Sequence, residues 1–139
     1  MIVHKSSLSS AAARTLVDAA VRYAGENGLA IAVAAVDCEG AVLALQRMDG
    51  VHASIADFAL DKAYTAASAG VSTQDFFTRM DSSPSLRLGL MSRARLLVWG
   101  GGLPVRSGGV LLGGIGVSGS REEDDVACAR HAIEALGAN

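Results

Sequence analysis

An α+β domain is what this sequence predicts, with a five-stranded antiparallel sheet and helices packed against it. Three observations lead there. Two pairs of apolar, β-branched stretches are each joined by a glycine turn, which makes their strands antiparallel neighbours. The stretches around them carry the 3.6-residue apolar period of helices. The 139 residues, 50% hydrophobic and 19% charged, suffice for one core and are too few for two. Residues 1–139 therefore read as a single domain.

Ser9 and Ser10 offer caps for a first helix, in which Leu16, Val17, Ala20, Val21 and Ala24 make one apolar stripe before Asn27-Gly28 ends it. Ala30 to Asp37 is short, apolar and β-branched, the pattern of a strand covered on both faces. Glu39-Gly40 turns the chain, and Val42 to Met48 returns as the hairpin partner. Ser54 to Gly70 is helical, and Ile55, Ala59, Ala63, Ala66, Ala67 and Gly70 form a narrow stripe that admits another backbone closely. Ser72-Thr73-Gln74-Asp75 resembles a capping box and opens a short helix through Met80. Asp81 to Pro84 is a loop, and Ser85 to Ala94 holds a helical turn or two. Leu96 to Trp99 reads as a strand running into Gly100-Gly101-Gly102. Val105-Arg106, the Ser107-Gly108-Gly109 turn and Val110 to Val117 make a second hairpin. Ser120-Arg121-Glu122-Glu123 forms another capping box, and Val126, Ala129, Ile133 and Leu136 lie on one face of the last helix. Two adjacent hairpins exclude a doubly wound parallel sheet.

Composition excludes several functions. A net charge of -2 and 4% aromatics supply neither the basic face nor the stacking platforms that nucleic acid or an anionic membrane surface requires. No apolar run approaches a bilayer span, and the first residues carry no signal-peptide pattern, so a cytoplasmic protein is expected. Cys38 and Cys128 match no metal or redox spacing and read as reduced thiols. With 25 alanines and 16 glycines there is little bulk to fill a core, which favours further burial in a homo-oligomer.

Most motif-like stretches weaken on inspection. Gly114-Ile115-Gly116-Val117-Ser118-Gly119 has the dinucleotide spacing, but no later strand with an acidic residue follows, and Glu122, Glu123, Asp124 and Asp125 would repel a pyrophosphate. A glycine-rich strand against which something packs closely explains it better. The four acids complement the positive end of a helix and need no metal. His4, His52 and His131 lack zinc spacing, and no metal site is expected. Gly116 to Ser120 is one residue out of step with a nucleophile elbow. Two glycine-rich turns remain, at Gly100 to Pro104 and Gly113 to Gly119. Arg47, Asp49, Asp61 and Lys62 could supply charge beside them, as in a small-ligand pocket.

Taken in order, Val36-Asp37, Gly40, Arg47-Met48-Asp49-Gly50, Ser54, Asp61-Lys62-Ala63-Tyr64-Thr65-Ala66, Gly101-Gly102-Leu103-Pro104 and Gly113 to Gly119 resemble the GlcG/HbpS family. That family includes haem-binding HbpS and the C-terminal domain of PduO-type cobalamin adenosyltransferases. The resemblance runs from the first helix to the last. It implies a profilin-like fold in α/β/α layers, homo-oligomers, and haem as a possible cofactor, with no histidine here assigned to the iron.

The leading expectation is a small-ligand-binding protein for haem or a related planar cofactor. Its pocket is expected to be lined by Asp49, Gly50, Lys62, Gly101, Gly102 and Pro104, with His52 near the mouth. A second reading is an isomerase, lyase or hydrolase acting on a small acid or oxidised intermediate, with Asp49 and Lys62 as acid and base and glycine-loop amides stabilising an oxyanion. A third is an oligomeric accessory protein without a cofactor.

Overall fold

A central strand whose side chains are buried on both faces organises the structure, a computed structural model that describes residues 1–139. This is β1 (Ala32–Asp37), apolar and buried from Ala32 to Val36 as a doubly covered strand must be. It pairs antiparallel with β2 (Val42–Arg47) on one side and with β4 (Val110–Ser118) on the other; β3 (Gly102–Ser107) completes the order β2-β1-β4-β3.

Helices cover both faces. Val33, Ala35, Ile115 and Val117 point into the main core, shared with α1 (Ser10–Glu26) and α5 (Glu122–Leu136). Ala32, Ala34 and Val36 point the other way, onto Ala59, Ala63 and Ala67 of α2 (Ala53–Ala69). The layering is thus α/β/α. Ser9 caps α1 by accepting the Ala12 N–H at 3.1 Å, and Gly70, with φ of 67°, ends α2 in a left-handed turn. No helix is long and apolar enough to cross a membrane.

The glycine run in β4 is explained by α2. A Cβ on Gly116 would overlap Ala59 O and stand 2.5 Å from Ala63 N, and one on Gly114 would stand 2.5 Å from Ala63 O. Helix backbone therefore lies directly on strand backbone, through the small-residue stripe of α2 and the bare positions of β4.

Two expectations need correction. The sheet has four strands, not five, because Leu96 to Trp99 joins no ladder. Two of its backbone groups, the Leu97 N–H and the Trp99 carbonyl, are met by buried threonines instead. Thr65 Oγ1 donates to Asp61 O at 2.7 Å and accepts the Leu97 N–H at 3.0 Å. Thr73 Oγ1 donates to Trp99 O at 2.7 Å and accepts the Gly102 N–H at 3.1 Å. An apolar stretch satisfied by side chains has no need of a neighbouring strand.

The second concerns Ser120, which does not cap α5. The cap position is Arg121, with no side-chain bond to the helix backbone, and Asp125 Oδ1 accepts the Ser120 N–H at 3.1 Å. The carboxylate reaches back from inside the helix to hold the chain just before it, and no side chain caps the first turn. By contrast, Ser72 does cap α3 (Thr73–Met80), accepting the Asp75 N–H at 3.0 Å. The ambiguous stretch after it contains α4 (Pro84–Met91), which buries none of its residues.

Candidate functional site

Lys62 is the most informative side chain in the fold, because a lysine only 1% exposed must have its charge met inside the protein. The α2 stripe that seats Ala59, Ala63 and Ala67 on the sheet also directs Lys62 toward the end of β4. There Nζ donates to Val117 O at 2.8 Å and to Asp125 Oδ2 at 3.2 Å. Burial pushes the Lys62 ammonium below its ordinary pKa and the Asp125 carboxyl above its own, and their mutual attraction opposes both shifts.

Gly101 closes this arrangement. Its φ is +123°, and a Cβ there would overlap Val117 O and stand 3.1 Å from Lys62 Nζ. Only glycine lets the turn after Trp99 lie flat against the ammonium.

The ion pair lies at the floor of a cleft of about 340 Å³, walled by Ile55, Phe58 and Trp99 and edged by Ser118, Gly119, Ser120 and Glu122. Phe58 meets Trp99 edge to face, with ring centroids 5.3 Å apart. A second hollow of about 470 Å³, bounded by Gln74, Phe77, Thr78 and Val98, shares Trp99 and Glu122 with the first. Both hollows border Trp99 and Glu122 and are walled by aromatic side chains, and we refer to the pair as the groove. In size and lining it suits a small molecule with a flat apolar body and a few polar contacts.

The residues expected to form a pocket divide. Lys62 lines the cleft and Gly101 lies against its Nζ. Gly102 is packed beneath, where a Cβ would overlap Thr73 and stand 2.5 Å from Lys62 O. Pro104 lies on the edge strand and lines a different hollow, with Arg130 and Ile133 of α5. Asp49 and Gly50 occupy an exposed turn after β2, outside the residues that line the groove. His52 is exposed and caps α2, its Nδ1 accepting the Ser54 N–H at 3.2 Å. Asp61 faces Arg95 at 3.7 Å rather than the cleft; burial raises its pKa and Arg95 lowers it.

Sequence reasoning missed Phe58, Phe77, Glu122 and Asp125 as groove residues, and it placed Trp99 in a strand. The one available signal was the lone tryptophan, since a large aromatic beside three glycines in an alanine-rich chain has few large neighbours to bury it.

Comparison with known proteins agrees with this architecture. The chain is 33% identical over 130 residues to an uncharacterised 15.0 kDa protein from the dhaT-dhaS intergenic region of Citrobacter freundii, covering 93% of this chain and 92% of that one. Its fold superimposes on Streptomyces reticuli HbpS, crystallised as a double mutant, with a TM-score of 0.86 and 31% identity over 96% of this chain and 89% of that one. It also superimposes on PduOC, crystallised as a haem complex, with a TM-score of 0.86 and 27% identity over 96% of this chain and 97% of that one. A family model described as haem degrading protein HbpS-like matches residues 8–134. With the layered sheet and the order of its glycine turns accounted for, this chain belongs to the HbpS-like family.

Proposed function

We propose that this protein binds a small planar ligand, haem or a related macrocycle, in the groove beside Trp99. The observation that carries this reading is the lining: Phe58, Trp99 and Phe77, from three separate segments, wall two hollows that share Trp99. The haem complex of a relative with the same fold supports the choice of ligand to test first. Lys62 and Gly101 belong to the floor, where they hold the groove's shape.

The fit to haem is divided. The aromatic walls suit the face of a porphyrin. The lining offers the iron no imidazole, thiolate, thioether or phenolate, the side chains that commonly hold haem iron. Binding in this groove thus rests on the macrocycle and not on the metal. Catalysis by Asp49 with Lys62 has no comparable support, because Asp49 is outside the groove and both Nζ contacts are structural. Self-association fits the exposed apolar side chains of α4, Leu86, Leu88 and Met91.

Trp99 is the sole tryptophan, so its fluorescence reports on the groove directly. Titration with hemin and with iron-free protoporphyrin IX is expected to quench it saturably, with dissociation constants that agree within a few fold. Absence of saturation with either compound overturns the proposal. Binding of hemin alone also overturns it, since the iron would then be held by a residue elsewhere.

A further inference from the structure

The groove has a charge as well as a shape, and the charge constrains what enters it. Among its lining residues, Lys62 and Asp125 neutralise one another at 3.2 Å. Gln74, Thr78, Ser118 and Ser120 are neutral, and no arginine lines either hollow. Glu122 remains, and it is the acid with no ion-pair partner in its helical turn: Glu123 and Asp124 pair with Arg121, and Asp125 with Lys62. It lines both hollows, as Trp99 does. A carboxylate and an indole thus border both hollows.

Each group favours the same kind of ligand. The face of an indole attracts positive charge through its quadrupole, and the partly screened carboxylate attracts it by Coulomb interaction. An anionic group placed there would meet both as repulsion, and the one cation of the lining, Lys62, is already engaged by Asp125 and the Val117 carbonyl and lies in the field of Glu122 as well. The positive end of the α5 dipole offsets little of this, because Glu123, Asp124 and Asp125 already complement it.

We infer that the groove selects planar aromatic ligands by charge, taking a cationic or hydrogen-bond-donating edge against Glu122 and Trp99 and turning any carboxylates outward to solvent. This rests on the reading of the groove as a planar-ligand site and adds which edge of the ligand faces inward. A porphyrin with two propionates would enter by its apolar edge.

Two three-ring probes of similar shape and opposite charge test it: proflavine, a cationic acridine, and anthracene-2-carboxylate. Proflavine is expected to bind the wild-type protein at least about tenfold more tightly. Glu122→Gln should weaken proflavine about fivefold, the upper end for a solvent-facing ion pair, and tighten the carboxylate. Glu123→Gln removes the same charge one residue away, outside the groove, and should leave both constants within about twofold. Unchanged melting curves would confirm that the variants are folded. Equal affinities for the two probes, or equal effects of the two substitutions, overturn the inference. Protoporphyrin IX binding measured on the same samples separates that outcome from failure of the planar-ligand reading, which would abolish the porphyrin signal too.

Discussion

Lys62 and Asp125 grip the same stretch of chain from opposite sides. Beyond their own contact at 3.2 Å, Lys62 Nζ holds Val117 O at 2.8 Å and Asp125 Oδ1 holds the Ser120 N–H at 3.1 Å. The exit from β4 is therefore clamped between α2 and α5 by two charges that are almost wholly buried. Removing one charge leaves the other unmatched in a low-dielectric interior, which costs more than the pair contributes.

Lys62→Met is accordingly expected to cost about 3–5 kcal/mol in urea denaturation. The double variant Lys62→Met, Asp125→Leu should recover a large part of that loss, because no orphaned charge remains. A double variant as unstable as the single one would show that packing, not charge, dominates at this site.

Cys128 sets an alkaline limit. Burial raises its thiol from the ordinary 9.0 to about 12, while it donates to Ala20 O at 3.2 Å. Between those values the unfolded chain loses a proton that the folded chain keeps, so stability falls as pH rises through that window, by about 1.4 kcal/mol per unit. Below pH 9 this contribution is constant. Melting curves from pH 8 to 11 should show the decline in wild type and a shallower one in Cys128→Ala.

Gly116→Ala probes the close approach of α2 to β4. The added methyl would overlap the Ala59 carbonyl, and both partners are backbone, so neither can rotate away. A loss of about 1–3 kcal/mol or more is expected in chemical denaturation, as for other overpacked cores. Gly25→Ala, where a Cβ meets nothing within 4 Å inside α1, should instead be neutral or stabilising.

The two serines expected to cap helices should separate cleanly. Ser72→Ala removes an acceptor for the Asp75 N–H and is expected to cost about 1 kcal/mol. Ser120→Ala keeps the backbone N–H that Asp125 accepts and should leave the denaturation midpoint near that of wild type.

These contrasts also show what the sequence made legible. Both hairpins, the doubly covered β1 and the helices on either face follow from local periodicity and turn residues, and the structure has them. Leu96 to Trp99 misled because an apolar stretch looks the same whether a strand or a threonine satisfies its backbone; only the fold brings Thr65 and Thr73 beside it. Asp125 was hidden inside an acidic run that the helix dipole already explained. The groove was less legible still. Phe58 and Phe77 have unremarkable sequence neighbours, and nothing short of tertiary structure puts them beside Trp99.

The order β2-β1-β4-β3 bears on how quickly this chain reaches its native state. Each hairpin closes locally, yet neither forms the middle of the sheet. That requires Ala32 to meet Ser118 and Asp37 to meet Gly113, across nearly all of the intervening sequence. Closing so long a loop has an entropic cost before any contact offsets it, and proteins rich in such distant pairings fold slowly. The meeting of the two hairpins is therefore the step expected to set the rate. Helix α2, whose backbone lies directly on β4, belongs to the surface on which they meet.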